Sequence, residues 1–188
     1  MKPSFATFLL TKVCGWSFDP RPIPYDKCVI LGFPHTCIAD YFIFYLYMHI
    51  KGKKPNVLMK RESFKWPLKP LLLKLGAIPV DRARGAGVLK KACDILSSRD
   101  RFILSLAPEG TRKPVKRWKM GFHTIARSTG VPVLAGYWDW SNKYITHGNV
   151  FELTDDKEAD MLRLQKFYKH DTPASGKYPD RVAFLDEA

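Results

Sequence analysis

Residues 28–40 read Cys28-Val29-Ile30-Leu31-Gly32-Phe33-Pro34-His35-Thr36-Cys37-Ile38-Ala39-Asp40. The apolar first half has the pattern of a buried strand. Pro34 ends it, because proline biases Phe33 to an extended shape and cannot continue a helix. His35 then stands on a loop at the strand's C-terminal end, the edge at which open α/β sheets bind ligands. A helix running from His35 to Asp40 would rotate their side chains ~500° about its axis, so the two can meet only across a turn. A carboxylate on one imidazole nitrogen fixes the tautomer and lets the other nitrogen take a proton near neutral pH. Alone, such a pair is a common coincidence. Asp40 reads equally as a helix N-cap, with His35 a satisfied loop residue.

Outward from this stretch, strand and helix patterns alternate. Strands are expected at residues 28–32, 56–59, 77–80, 101–106 and 131–136, with a hairpin around Ser141-Asn142. Helices are expected at about 40–50, 68–75, 85–98, 121–128 and 154–168, followed by a loosely held tail. Residues 4–16 read as a short amphipathic N-terminal helix with Phe5, Phe8, Leu9, Val13 and Trp16 on one face. Asp19-Pro20-Arg21-Pro22-Ile23-Pro24 reads as a stiff connector. The alternation predicts an α/β fold, a largely parallel sheet flanked by helices. Without a repeat or linker, residues 1–188 are expected to form a single domain.

The 188 residues are 46% hydrophobic and 26% charged, an ordinary globular composition. Charge is uneven: residues 1–138 hold 24 Lys/Arg against 8 Asp/Glu, and residues 139–188 hold 7 against 10. The basic body predicts an anionic partner, which charge alone leaves open among nucleic acid, phosphorylated substrate and anionic lipid. Cys14, Cys28, Cys37 and Cys93 show neither C-x-x-C nor a metal-ligand spacing with the histidines, so reduced thiols and no metal are expected. The longest apolar stretch, residues 41–50, falls short of the ~18–20 residues a membrane span needs.

If the strands run parallel, three polar strand ends gather on one edge: His35/Asp40, Asp81-Arg82 and Glu109-Gly110-Thr111-Arg112. Arginine's planar fork suits bidentate grip on a phosphate. Gly110 lets backbone approach closely and Thr111 adds a hydroxyl. Each arginine alone reads just as well as a surface charge paired with Asp81 or Glu109.

The order of these blocks resembles the glycerolipid and lysophospholipid acyltransferase superfamily, of the 1-acylglycerol-3-phosphate acyltransferase type. That family shows H-x-x-x-x-D, K-x-E-L, G-x-I-x-x-D/N-R, F-P-E-G-T-R, K-x-G and V-P-V in sequence. Here they match His35…Asp40, Lys60-Arg61-Glu62, Gly76 to Arg82, Pro108 to Arg112, Lys119-Met120-Gly121 and Val131-Pro132-Val133, a motif-bearing core over about residues 28–136. The chain departs from the pattern at Pro34 (often Asn), Cys37 (often Ser), Ser63 (usually Leu) and Ala107 (usually Phe). These positions bear on acceptor and donor preference more than on reaction type.

The resemblance implies an acyltransferase-like domain and an O-acyltransferase of phospholipid synthesis. His35 would be general base on the hydroxyl of a lysophospholipid acceptor, which attacks the thioester of acyl-CoA or acyl-carrier protein. Asp40 would orient His35. Arg112, with Glu109, Gly110 and Thr111, would bind the acceptor's phosphate and shape the site, with Arg82 and Lys60 adding positive charge. No metal, bound cofactor or covalent enzyme intermediate is required. The expected location is peripheral, on the cytoplasmic face of an anionic membrane, with residues 3–16 and 64–75 as the lysine-edged apolar contact.

Three other readings compete. Cys37, two residues from His35, raises a cysteine nucleophile. A basic nucleic-acid- or anionic-lipid-binding module without catalysis would use the charged body and the Lys116-Arg117-Trp118-Lys119 cluster, but no nucleic-acid motif accompanies them and no nucleic acid is expected. A catalytically silent protein on a lipid surface would have no need of His35, Asp40, Glu109 and Arg112 together.

Overall fold

The computed structural model describes residues 2–81 and 85–184. Its centre is strand β2 (Lys27–Phe33), the run quoted above. Val29, Leu31 and Phe33 point into one apolar cluster, and Cys28 and Ile30 into another on the opposite face. A strand buried on both faces is the setting in which a continuous apolar run replaces alternation.

Around β2 lie β1 (Ser17–Phe18), β3 (Pro55–Lys60), β4 (Ala77–Val80), β5 (Phe102–Leu106), β6 (Val133–Asp139) and β7 (Tyr144–Thr146). The sheet order is β1-β7-β6-β2-β5-β3-β4. Strands β6, β2, β5, β3 and β4 run parallel, and β7 turns back against β6 as the expected hairpin. The α/β class with a largely parallel sheet is therefore observed.

One face of the sheet carries α2 (Ala39–Ile50), with Ile43, Phe44, Tyr47 and Met48 packed on Ile30, Ile103 and Leu134. The other carries α4 (Gly85–Ser97), α5 (Gly121–Thr129) and α6 (Lys157–His170), whose Leu96, Ile125, Leu164 and Tyr168 join Val29, Leu31 and Leu104. Helix α3 (Leu68–Lys74) joins β3 to β4. Helix α6 starts at Lys157, later than its apolar pattern suggests, because Asp156 caps it by accepting from the amides of Glu158 and Ala159. Gly32 is required on β2: a Cβ there would lie 2.3 Å from the Trp138 ring.

Three expectations are corrected. The N-terminal helix α1 (Pro3–Phe8) continues as a π-helical turn, Leu9–Val13. That wider turn shifts the helical phase. Trp16 therefore falls into the core with Leu10, while Phe5, Phe8 and Val13 stay exposed. The predicted single apolar face is split.

The tail is not loose. Ser175 exchanges backbone hydrogen bonds with Trp138 and Trp140 beside β6. Farther on, Trp118 Nε1 donates to the carbonyl of Ala183 at 3.1 Å, and the Phe184 ring packs on Phe33 and Trp118. Trp118 is consequently buried, so the Lys116-Arg117-Trp118-Lys119 cluster offers no aromatic surface to a nucleic acid.

Candidate active site

The parallel register places the ends of β2, β5, β3, β4 and β6 along one edge. Leu31 pairs Leu106, Phe33 pairs Tyr137, and Lys60 pairs Val80. His35, the 107–112 segment and Asp81 follow these strand ends, and Lys60 closes β3. Arg82 lies outside the described residues.

Residues 34–38 form an irregular turn between β2 and α2. His35 Nδ1 lies 3.1 Å from Asp40 Oδ2 across it. Asp40 is the second residue of α2 rather than its N-cap, a position held by Ile38. Its carboxylate instead curls back, and Oδ2 also accepts from the amides of Thr36 (2.8 Å) and Cys37 (2.9 Å). Oδ1 accepts from Cys37 Sγ (3.2 Å) and from Trp140 Nε1 (2.8 Å). The side chain has no solvent exposure. Burial alone would raise its pKa, but hydrogen bonds from His35 and Cys37 outweigh this and hold it below the usual carboxylate value. The helix N-terminus favours the anion further. An ionised carboxylate only accepts, so Nδ1 carries the proton and Nε2 is the basic nitrogen. Nε2 makes no hydrogen bond with any described residue, and the side chain is 26% exposed. The pair thus joins a buried carboxylate to a partly exposed imidazole.

Glu109 supports the same loop from β5. Its Oε1 accepts from the His35 amide at 2.8 Å. The residue is 4% exposed, and Oε2 has no partner among the described residues. Burial pushes its pKa up to about 8. Its side chain faces inward.

The turn that follows depends on Gly110, at φ +65°, whose amide donates to the Ala107 carbonyl. A Cβ there would sit 2.8 Å from Cδ of Lys119. The Lys119 amide ties this turn to the Lys119-Met120-Gly121 stretch by donating to Pro108. Thr111 Oγ1 accepts from the Lys113 amide, and Arg112 is exposed with no ion pair among the described residues. Lys60 is likewise exposed at the end of β3.

Cys37 is buried with its thiol donating to Asp40, and burial pushes its pKa up. A thiol held protonated beside a carboxylate is poorly suited to nucleophilic attack.

Two contributors escape the sequence motifs. Trp140 follows β6, where the sequence pattern marks only a hairpin; the C-terminal end of a parallel strand beside β2 is the signal that can mark it. Arg181 Nη1, from the tail, donates to the Thr36 carbonyl at 3.0 Å.

Phe5, Phe8, Val13, Leu68, Leu71 and Leu73 are half exposed or nearly so, and Trp66 is 89% exposed. These lie in the two segments expected to meet a membrane. No helix among the described residues is long and apolar enough to cross one.

A model of the Acyltransferase family matches residues 19–137. The fold is similar to the crystal structure of the 1-acyl-sn-glycerophosphate (LPA) acyltransferase PlsC from Thermotoga maritima, with a TM-score of 0.60 and 18% identity, covering 90% of this chain and 76% of that one. No curated protein sequence matches.

Proposed function

This chain belongs to the acyltransferase family, and we propose that it moves a fatty acyl group from a thioester donor to the hydroxyl of a lysophospholipid, 1-acylglycerol-3-phosphate before others. The observation that carries this reading is the His35 Nδ1–Asp40 Oδ2 pair with Nε2 open at the sheet edge. Nε2 takes the acceptor's hydroxyl proton as its oxygen attacks the thioester carbonyl. Asp40 steadies the imidazolium that results. When the tetrahedral intermediate collapses, the thiolate leaves and receives that proton, and the new ester departs. Arg112 and Thr111 meet the acceptor phosphate, with Lys60 and Arg82 adding charge. The likeness to a lysophosphatidate acyltransferase supports this acceptor class.

The donor is acyl-CoA or acyl-carrier protein. The enzyme rests peripherally on the cytoplasmic face of an anionic membrane through Phe5, Phe8, Trp66 and the α3 leucines, with no nucleic-acid partner. The test is acyl transfer by the purified protein, supplied with labelled lysophosphatidate in mixed micelles and each donor, beside His35→Ala. Product from wild type alone is expected. Equal product from both would remove His35 as the base.

A further inference from the structure

We propose that Trp140 is a positioning residue for acyl transfer: its indole N–H anchors the Oδ1 side of the Asp40 carboxylate, so that Oδ2 stays aimed at Nδ1 of His35. The proposal rests on the reading of His35 as general base. Trp140 lies 100 residues from Asp40 and three beyond the span that matches the family.

A fully buried carboxylate keeps its charge and its orientation only while its lone pairs are filled. Oδ2 has three partners, all within residues 35–37. Oδ1 has a thiol, a weak donor, and the indole N–H at 2.8 Å. Among the described residues, Trp140 is therefore the strong donor on that side, and the one that reaches Asp40 from outside its own loop.

The indole is itself fixed. Its ring meets Trp16 edge to face, with centroids 4.9 Å apart. Lys177 Nζ sits 5.4 Å from its ring centroid, and the Trp140 amide donates to the Ser175 carbonyl. The N-terminal segment and the tail thus converge on the group that holds the carboxylate. Around the pair stand Cys37 on the loop, Glu109 after β5, and Lys177 and Arg181 from the tail.

Trp140→Phe removes the N–H while leaving a ring for Trp16 and Lys177. With 1-acylglycerol-3-phosphate and an acyl-CoA, kcat should fall about tenfold with KM little changed, the scale of one hydrogen bond to a charged group. The acid limb of the kcat/KM profile should move to higher pH, because a carboxylate short of one donor favours the imidazolium more. A purely structural role would not move that limb. If His35→Ala is inactive while Trp140→Phe keeps both kcat and the limb, the proposal fails and the function stands. If His35→Ala retains activity, the base assignment fails and the proposal goes with it.

Should Trp140→Phe misfold, or the wild type turn over none of these substrates, the indole Nε1–H resonance of the wild-type protein decides. It should titrate with His35 and shift in Asp40→Asn. A resonance indifferent to both overturns the proposal.

Discussion

The amide of His35 donates to Oε1 of Glu109 at 2.8 Å, so the loop bearing the imidazole is held by a carboxyl 74 positions along the chain. Burial keeps that carboxyl protonated up to about pH 8, whereas its ordinary pKa is 4.5. Below pH 4.5 folded and unfolded chains both hold the proton, and its contribution to stability is complete. As pH rises towards 8 the unfolded chain gives up the proton first, and the contribution is lost. Gln at this position accepts from His35 as well and does not titrate. Thermal unfolding at a series of pH values should show Glu109→Gln gaining on the wild type from pH 5 to 8. A wild type that gains instead would mean an ionised Glu109.

Asp40→Asn keeps the volume but loses the charge that faces Nδ1. The tautomer with a basic Nε2 is no longer enforced, and an imidazolium is no longer steadied. We expect kcat to drop by about 10²–10⁴, with the fold intact by circular dichroism. Steady-state kinetics at saturating acceptor would check it.

Cys37→Ser replaces one donor to Oδ1 with another. Activity should stay within about threefold of wild type, a difference of under about 1 kcal/mol. Loss of all turnover in this variant would revive the thiol as a nucleophile.

Arg112 is exposed and has no ion pair among the described residues, so its replacement costs the fold little. Arg112→Ala should raise KM for a phosphate-bearing acceptor by about tenfold, as loss of a charge-assisted contact does. An acceptor lacking the phosphate monoester should not feel the change. Equal effects on both acceptors would place Arg112 outside the headgroup site.

Serine at Phe5, Phe8, Trp66 and Leu71 removes four exposed apolar side chains from the two segments proposed to meet lipid. Burial of each such side chain is worth roughly 1.5–3 kcal/mol, so flotation with anionic vesicles should show at least about tenfold weaker binding. Unchanged flotation would move the contact elsewhere.

Much of this was legible in residues 28–40, because a continuous apolar run before Pro34 reports a parallel strand and forces a turn before Asp40. Gly110 reads from sequence as a place of close backbone approach, and it does stand against Lys119. What sequence could not give was long-range partnering. The Asp40–Trp140 bond spans 100 residues, and the one signal for Trp140, its place after a parallel strand, counts only once β6 is known to lie beside β2. The tail looked loose because its composition is polar, yet Ser175, Arg181 and Phe184 are held by backbone and ring contacts that composition does not encode. The N-terminal face departs from the expected one because a π-helical turn breaks the helical period.

The tail's grip on the site also sets an order of events during synthesis. His35 and Asp40 emerge early, but the segment that pins Trp140 and the Thr36 carbonyl lies at 175–181. A nascent chain that has displayed every motif still lacks its clamps. On the proposed function, the site would be complete only once that segment has emerged, and contacts of such long sequence separation form slowly. A fragment ending before Ser175 would carry the signature of the family without the rigidity that makes the signature useful.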